Sequence, residues 1–250
     1  MSIINSFDVS TRVILDPGCL AKPIENFPEI IILTFKSQII NEFIKNYNAS
    51  VIDELSGGFT IPVYKFNYKG KEIGMYQTLI GGAGTVGLLE EIIVKGGKKI
   101  LAFGSCGTLD INLSEGHLIV PTAVYRDEGI SYHYMPAGDY VEVKTSNNLA
   151  EIFDEMKLSY IKAKTWTTDA LYRETEKNMQ LRKAEGCLSV DMECASIMAL
   201  SEFRNIPIYH FLYAEDNLDS FEWEARSKGK VSKNEYEKYL NIAIEVANRL

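Results

Sequence analysis

The chain has 250 residues, 46% of them hydrophobic, and a formal net charge of -8. A chain of this length can bury a full core, and an α/β domain of this size need not be divided, so we expect one domain spanning residues 1–250. The acidic balance argues against binding to nucleic acid or to an anionic membrane through bulk electrostatics. The chain carries neither a leader-like segment nor an apolar run of membrane-spanning length, which predicts a cytoplasmic location.

Cysteine and histidine spacing predicts no metal centre. The four cysteines show no paired ligand spacing and no sign of an oxidising compartment, so we expect free thiols. The three histidines are scattered, and a lone histidine is more often a packed or surface residue than a ligand. These residues are Cys19, Cys106, Cys187, Cys194, His117, His133 and His210.

Hydrophobic periodicity predicts alternating strands and helices in the first half of the chain. A buried strand is followed by a segment with helical spacing, and two β-rich runs separated by three residues then predict a hairpin. A glycine cluster introduces the next helix, which stops at a Gly-Gly pair before another strand. The segments in order are 30–35, 37–47, 59–67, 71–79, 85–95 and 99–103.

The second half continues the alternation and ends in a helix. Its strands are predicted at 117–124, 160–167 and 206–214, and its helices at 148–157, 193–203 and 232–250. Ser232 and Glu235 have the spacing of a capping box at the start of the last helix. The pattern predicts an α/β fold, a single domain with a central, mostly parallel twisted sheet flanked by helices.

Three glycine-bearing segments are candidates for an anion site. They are Asp16-Pro-Gly18, Gly81-Gly-Ala-Gly84 and Gly104-Ser-Cys-Gly107. Ligands of open α/β sheets collect at the carboxyl ends of the strands, where glycines let backbone amides approach an anion. Each segment alone is also typical of a plain tight turn, so the inference depends on all three together.

Carboxylates just before a predicted helix and at the end of a predicted strand are the candidates for sugar and base chemistry. In an extended Val190-Asp-Met-Glu193 segment, Asp191 and Glu193 would point to the same side and could accept hydrogen bonds from vicinal hydroxyls. Alternatively, Glu193 only favours the positive end of the following helix. Asp216, at the end of another strand, could exchange a proton with a heterocycle or could cap a turn.

Five motifs in register resemble the nucleoside phosphorylase family, which includes bacterial hexameric purine nucleoside phosphorylase and uridine phosphorylase. They are Gly104-Ser-Cys-Gly107, the segment 116–134, Thr168-Asp-Ala-Leu-Tyr172, Val190-Asp-Met-Glu193 and Glu215-Asp216, and the resemblance extends from about Val13 to the C-terminus. It implies a homo-oligomer built from dimers, often a hexamer. It also implies an enzyme that cleaves a ribonucleoside with inorganic phosphate, giving free base and ribose 1-phosphate without a further cofactor.

The resemblance assigns roles to individual residues. Gly18 and Ser105 would bind phosphate, with the turn at residues 81–84 beside the ligand. Met192 and Glu193 would hold the ribose. Asp216 would protonate the departing base, because a neutral leaving group departs far more easily than an anion. The residues that would border the base are Leu171, Tyr172, Val190 and Asp191.

The phosphate site departs from the family pattern. Where the family has arginines, this chain has Lys22, Phe59 and Ala102, and only the lysine can bind an anion through its side chain. We expect Lys22 with Arg126 or Arg173 to provide the missing charge, although each arginine could equally be a surface residue. The family's N-terminal histidine, which a neighbouring subunit lends to the ribose, is also absent.

The residues favour a purine as the base, and they leave open whether phosphate or water receives the ribosyl group. Thr175 and Lys177 stand where uridine phosphorylase has a glutamine and an arginine, so uracil recognition is not expected. The family's nucleosidases place a glutamate near position 22 to activate water, and a lysine is a poor general base. Phosphorolysis is therefore the leading prediction, with a nucleosidase and a catalytically silent nucleoside-binding protein as alternatives.

Overall fold

The computed structural model describes residues 2–10, 12–220, 222–228, 230 and 232–250. Within this part of the chain, ten strands form one sheet and seven helices surround it. The strands are β1 (Ile30–Thr34), β2 (Ser50–Ser56), β3 (Thr60–Tyr68), β4 (Lys71–Gln77), β5 (Lys99–Thr108), β6 (Leu118–Asp127), β7 (Tyr140–Glu142), β8 (Tyr160–Thr168), β9 (Cys187–Asp191) and β10 (Ile208–Asn217). The helices are α1 (Ser37–Asn46), α2 (Gly82–Lys95), α3 (Ser131–Tyr134), α4 (Ser146–Glu155), α5 (Glu176–Ala184), α6 (Cys194–Arg204) and α7 (Lys233–Arg249).

The sheet closes on itself at one side and extends as an open sheet at the other. Strands β5, β9, β8, β6 and β10 pair in a ring, while β1, β4, β3 and β2 continue outward from β5. The predicted α/β fold with flanking helices is confirmed; the sheet is mixed and partly barrel-like, and not purely parallel. The short connections between β2, β3 and β4 permit only antiparallel pairing, and β9 and β10 each have one antiparallel neighbour.

Alternating side chains of the central strands supply two cores. On β1, Ile32 faces the cluster covered by α1, α4 and α7, whereas Ile31 and Leu33 face the cluster beneath α2 and α6. On β5, Leu101 faces the first of these clusters and Ala102 faces the second. Successive residues of a strand point to opposite faces, so a strand covered by helices on both faces is apolar throughout. This accounts for the continuous apolar runs at both strands.

The extent of β5 differs from the prediction. The strand continues through Gly104 to Thr108 instead of ending at residue 103, so Gly104-Ser-Cys-Gly107 is strand and not a turn. A Cβ added at Gly104 would lie 2.7 Å from the Phe35 ring, and one at Gly107 would lie 2.5 Å from Leu218. These glycines permit close packing against the strand rather than a sharp bend.

Other sequence-based expectations hold, with a few elements missed. The hairpin and the closing helix are present, and the helix predicted at 85–95 is present but begins at Gly82, so only Gly81 of the glycine cluster lies outside it. Strand β2 and helix α5 were not predicted, because their residues are mostly polar and exposed and give little hydrophobic periodicity. The four cysteines are free, as expected. No helix in the described part of the chain is long and apolar enough to cross a bilayer.

Helix α7 begins with the predicted capping box. The Ser232 hydroxyl accepts from the Glu235 amide, and the Glu235 carboxylate accepts from the Ser232 amide at 3.0 Å. The helix packs Leu240, Ala243 and Val246 into the core, all fully buried. The cap therefore fixes where a core-forming helix starts.

We predict that Ser232→Ala lowers the free energy of unfolding by about 1 kcal/mol, because it removes one partner of the capping box. Urea denaturation followed by circular dichroism measures the change. Ser232→Thr keeps a hydroxyl at the same position and should retain most of the stability. Equal losses in the two variants would show that the cap does not stabilise α7.

Candidate active site

Two adjoining cavities open at the carboxyl ends of the central strands. The inner cavity has a volume of about 310 Å³ and the outer one about 770 Å³. Both are in the size range of small-ligand sites. The residues that line both cavities, and so mark their junction, are Leu171, Glu174, Asp216, Leu218 and Lys228.

Asp216 lies at the junction, near the end of β10, and is 3% exposed. Its Oδ2 atom accepts hydrogen bonds from Trp223 Nε1 at 2.8 Å and from Lys228 Nζ at 3.0 Å. Oδ1 has no hydrogen-bond partner among the described residues. The predicted catalytic acid is therefore in the cavity, with one oxygen held and the other available to a ligand.

Glu193 lies in the inner cavity beside Met192, and its side chain is buried. The Gly81 amide donates to Glu193 Oε1 at 2.7 Å. Gly81 has φ of 90°, a conformation that glycine adopts without strain, and it precedes α2. Burial and the nearby charge of Asp191 raise the pKa of Glu193. The glycine turn thus orients a carboxyl group that hydroxyls of a ligand can reach.

Asp191 caps the start of helix α6, a structural role that the sequence did not indicate. Its Oδ2 accepts from the amides of Glu193 at 3.1 Å and Cys194 at 2.7 Å, at the start of α6, and Oδ1 accepts from the Thr167 hydroxyl. Burial raises the pKa of Asp191, while these hydrogen bonds oppose the rise. The segment is also not extended through residue 193, since β9 ends at Asp191. The expectation that Asp191 and Glu193 form a matched pair for vicinal hydroxyls is therefore wrong: Asp191 caps α6.

The remaining candidates for the base lie around the junction. Leu171 borders both cavities, Val190 lines the inner one, and Tyr172 lines the outer one while remaining 94% exposed. Glu174, which was not predicted from the sequence, also lines both cavities. Burial and the charge of Asp216 raise the pKa of Glu174 to about 7. The base side of the site is thus apolar, with a carboxyl group that changes charge near neutral pH.

The structure separates the predicted phosphate residues. Ser105, on β5, lines the inner cavity. Gly18 and Lys22 lie outside both cavities: Gly18 is in a 3-10 turn, its amide donates to Asp16, and its carbonyl accepts from Lys22. The local resemblance of Asp16-Pro-Gly18 to a phosphate loop arises from this turn, which precedes β1 and lies near the end of β2 and the start of α2.

Neither candidate arginine reaches Ser105, which corrects that expectation. Arg126 is 3% exposed, and its guanidinium donates to the Ser131 hydroxyl at 2.8 Å and the Pro136 carbonyl at 2.7 Å. It stacks on Tyr132, and burial lowers its pKa. Arg126 therefore holds the loop after β6 in place. Arg173 is exposed and lines neither cavity.

A cation that was not predicted lies in the inner cavity instead. Lys36 follows β1 and forms an ion pair with Glu215. Its position directly after a buried parallel strand, at the edge where ligands of such sheets bind, was a signal available in the sequence. Phe59 and Ala102, at the positions where the resemblance implies arginines, supply no cation, and Phe59 is 60% exposed while Ala102 is fully buried.

One group of side chains combines metal-binding donor types. Ligand atoms of Asp191, Cys194 and His210 lie within 4.8 Å of one another, all buried. Zinc bonds of about 2.0–2.3 Å would require ligand atoms roughly 3.3–3.8 Å apart. The Asp191 oxygens are already engaged by α6 and Thr167. As they stand, these residues fit a packed core better than a metal ion.

We predict that Glu174 makes stability depend on pH. Because its pKa is raised from 4.5 to about 7, the folded protein retains a proton that the unfolded chain loses first. The stabilisation of the folded state by this proton is full below pH 4.5 and disappears as the pH rises through 7. The free energy of unfolding of the wild type should therefore fall, relative to that of Glu174→Gln, between pH 5 and 8 in urea titrations. Parallel profiles would contradict the raised pKa.

Solved structures show the same fold. Purine nucleoside phosphorylase from Toxoplasma gondii, in complex with immucillin-H, superposes with a TM-score of 0.75 at 19% identity, covering 89% of this chain and 91% of that one. Uridine phosphorylase from Vibrio fischeri gives 0.77 at 19% identity, covering 93% and 98%. AMP nucleosidase from Bacteroides thetaiotaomicron gives 0.71 at 21% identity, covering 89% and 88%. At these identities the likeness establishes the fold alone.

Sequence relatives agree with the fold. An uncharacterized protein of Acanthamoeba polyphaga mimivirus is 27% identical over 139 residues, which are 56% of this chain and about half (54%) of the relative. A purine nucleoside phosphorylase of the DeoD type from Caldanaerobacter subterraneus is 24% identical over 204 residues, covering 80% of this chain and 85% of the relative.

A family model described as the phosphorylase superfamily matches residues 30–250. The match begins at the first residue of β1 and therefore does not include Gly18 and Lys22. The expected relationship to enzymes of the nucleoside phosphorylase type is confirmed at the level of the family. With its fold, its strand-end cavities and this match over most of its length, the chain belongs to the phosphorylase superfamily.

Proposed function

We propose that the protein cleaves the N-glycosidic bond of a purine ribonucleoside, with Asp216 protonating the departing base and Glu193 holding the ribose. The observation that carries this proposal is the placement of both buried carboxyl groups in one cavity, at the ends of neighbouring elements. Its support is the family membership and the purine nucleoside phosphorylases among the sequence relatives.

The hydrogen bonds of Asp216 suit an acid that gives up its proton late. Both Trp223 and Lys228 donate to Oδ2, so a proton on Oδ1 can point toward a ring nitrogen of the base. When that proton leaves, Lys228 stabilises the carboxylate that remains. The charge-assisted bond therefore strengthens as the glycosidic bond breaks, which favours the transition state over the ground state.

Glu193 is placed to bind the sugar. The Gly81 amide holds one of its oxygens and leaves the other to accept hydrogen bonds from ribose hydroxyls. Burial makes those bonds strong, because water competes for them weakly. Met192, beside Glu193, adds an apolar contact for the ribose ring.

Three features favour a purine as the base. Asp216 can protonate N7, an atom that pyrimidines lack. Leu171 and Val190 provide apolar contacts for a flat ring at the junction of the cavities. Lys177 is exposed and the Thr175 hydroxyl caps α5, so neither side chain lines the cavities to recognise uracil.

We predict that Asp216→Asn lowers kcat on inosine about a hundredfold or more while changing substrate affinity much less, because the proton is needed as the bond breaks. 7-Methylguanosine, whose base already carries a positive charge in the imidazole ring, should be cleaved almost normally by the variant. Steady-state kinetics on the two nucleosides measure this. Equal losses on both would mean that Asp216 is structural.

We predict that Glu193→Gln impairs cleavage of adenosine about ten- to a hundredfold more than cleavage of 2′-deoxyadenosine. The amide nitrogen of the variant cannot accept the hydrogen bonds that a carboxyl oxygen accepts from ribose hydroxyls, and leaving a buried polar group without its partner costs about 1–3 kcal/mol. The ratio of kcat/KM values for the two substrates is the measurement. Identical losses would place Glu193 in the support of α2 and α6 and not in contact with the sugar.

A further inference from the structure

A β-bulge near the end of β10 directs two neighbouring carboxylates into the same cavity. Ala214 pairs with Cys106 and Asp216 pairs with Gly107, so Glu215 is the extra residue. In a regular strand these two side chains would point to opposite faces of the sheet. The bulge removes that alternation, and Glu215 and Asp216 both line the inner cavity.

Glu215 and Asp216 nevertheless occupy different parts of the site. Asp216 and its partner Lys228 border both cavities. Glu215 and Lys36 line only the inner cavity, as does Ser105 on the adjacent strand β5. Asp216 is therefore on the side of the base, and Glu215 is on the side where the group that replaces the base would approach the sugar.

The ion pair with Lys36 fixes Glu215 in an environment that excludes most water. Glu215 is 2% exposed, and Lys36 is mostly covered. The Lys36 ammonium also lies 5.9 Å from the ring centre of Tyr213 and 5.8 Å from that of Tyr236. These contacts hold the lysine in place, and the ion pair orients the Glu215 side chain.

The inner cavity offers an added anion no unpaired cationic side chain among the described residues. Two lysines line it, and each already pairs with a carboxyl group. Phosphate could use Lys36 only by displacing Glu215, which would leave a buried carboxylate without its partner. Water is uncharged and needs only hydrogen-bond partners, which Ser105 and Glu215 provide.

We propose that water, and not phosphate, is the molecule that attacks the anomeric carbon, and that Glu215 is the general base that activates it. This inference rests on the proposed function. The bond between the anomeric carbon and the base breaks, its electron pair goes to the base, and the proton of Asp216 neutralises the base. The water oxygen bonds to the anomeric carbon, and one of its protons passes to Glu215. The products are free base and ribose, and proton exchange with solvent restores both carboxyl groups. Lys36 is a positioning residue for Glu215.

The first experiment identifies whether water or phosphate receives the ribosyl group. Inosine, adenosine and guanosine are incubated with the full-length protein in buffer freed of phosphate and in buffer with added phosphate, and base, ribose and ribose 1-phosphate are quantified. We expect cleavage at the same rate in both buffers, with ribose as the sugar product. A requirement for phosphate with ribose 1-phosphate as product would overturn the inference and leave the proposed function intact. Absence of cleavage in both buffers would refute the proposed function itself.

The second experiment tests Glu215. Glu215→Gln should reduce kcat about 10²- to 10⁴-fold with little change in KM, since a general base is lost while the shape of the site is kept. In Glu215→Ala, sodium azide should restore cleavage and form ribosyl azide, because the freed Lys36 attracts a small anionic nucleophile. Arg173→Ala, at an exposed position outside both cavities, is the matched control and should keep full activity.

Two results would contradict the role of Glu215. One is hydrolysis at the wild-type rate by Glu215→Gln. The other is a folded Glu215→Ala variant, verified by circular dichroism, that is inactive and is not rescued by azide. The second result would show that Glu215 supports the site without taking part in proton transfer.

Discussion

The parallel pairing of β5 with β10 is the contact on which the site depends. Its hydrogen bonds place Ser105 opposite Tyr213 and Gly107 opposite Asp216. Both strands are almost entirely buried, so a shift by one residue would move every side chain to the wrong face. Only a local bulge can change the direction of one side chain without disturbing the rest, and it occurs at Glu215. The chemistry of the cavity is therefore built into the register of two core strands.

The same geometry concentrates buried carboxyl groups that the fold must accommodate. Burial raises the pKa values of Glu174, Asp191 and Glu193, so each resists ionisation. Backbone amides at the starts of α2 and α6 donate to Glu193 and Asp191, and two lysines pair with Glu215 and Asp216, so each of these four carboxyl groups has a donor. A ligand that donates hydrogen bonds, as the hydroxyls of a sugar do, would add further partners.

Features that depend on neighbouring residues could be predicted from the sequence, whereas features that depend on contacts between distant residues could not. The capping box of Ser232 depends on neighbouring residues and was predicted correctly. The Asp16-Pro-Gly18 turn looked like a phosphate loop because local sequence cannot reveal which strand end a turn is near. Lys228 was missed for the same reason, since it becomes part of the site only through Asp216, twelve residues away across a loop. The β-bulge leaves no trace in hydrophobic periodicity.

The burial of Ala102 bears on how a cation could be added to this site. The side chain is fully covered, it belongs to the apolar cluster under α2 and α6, and its neighbour on the adjacent strand β10 is His210, whose ring nitrogens have no partner among the described residues. An arginine introduced at position 102 would bury a guanidinium in a space that is packed around a methyl group. Laboratory evolution toward anion binding should therefore find routes through Lys36 before it finds one through residue 102.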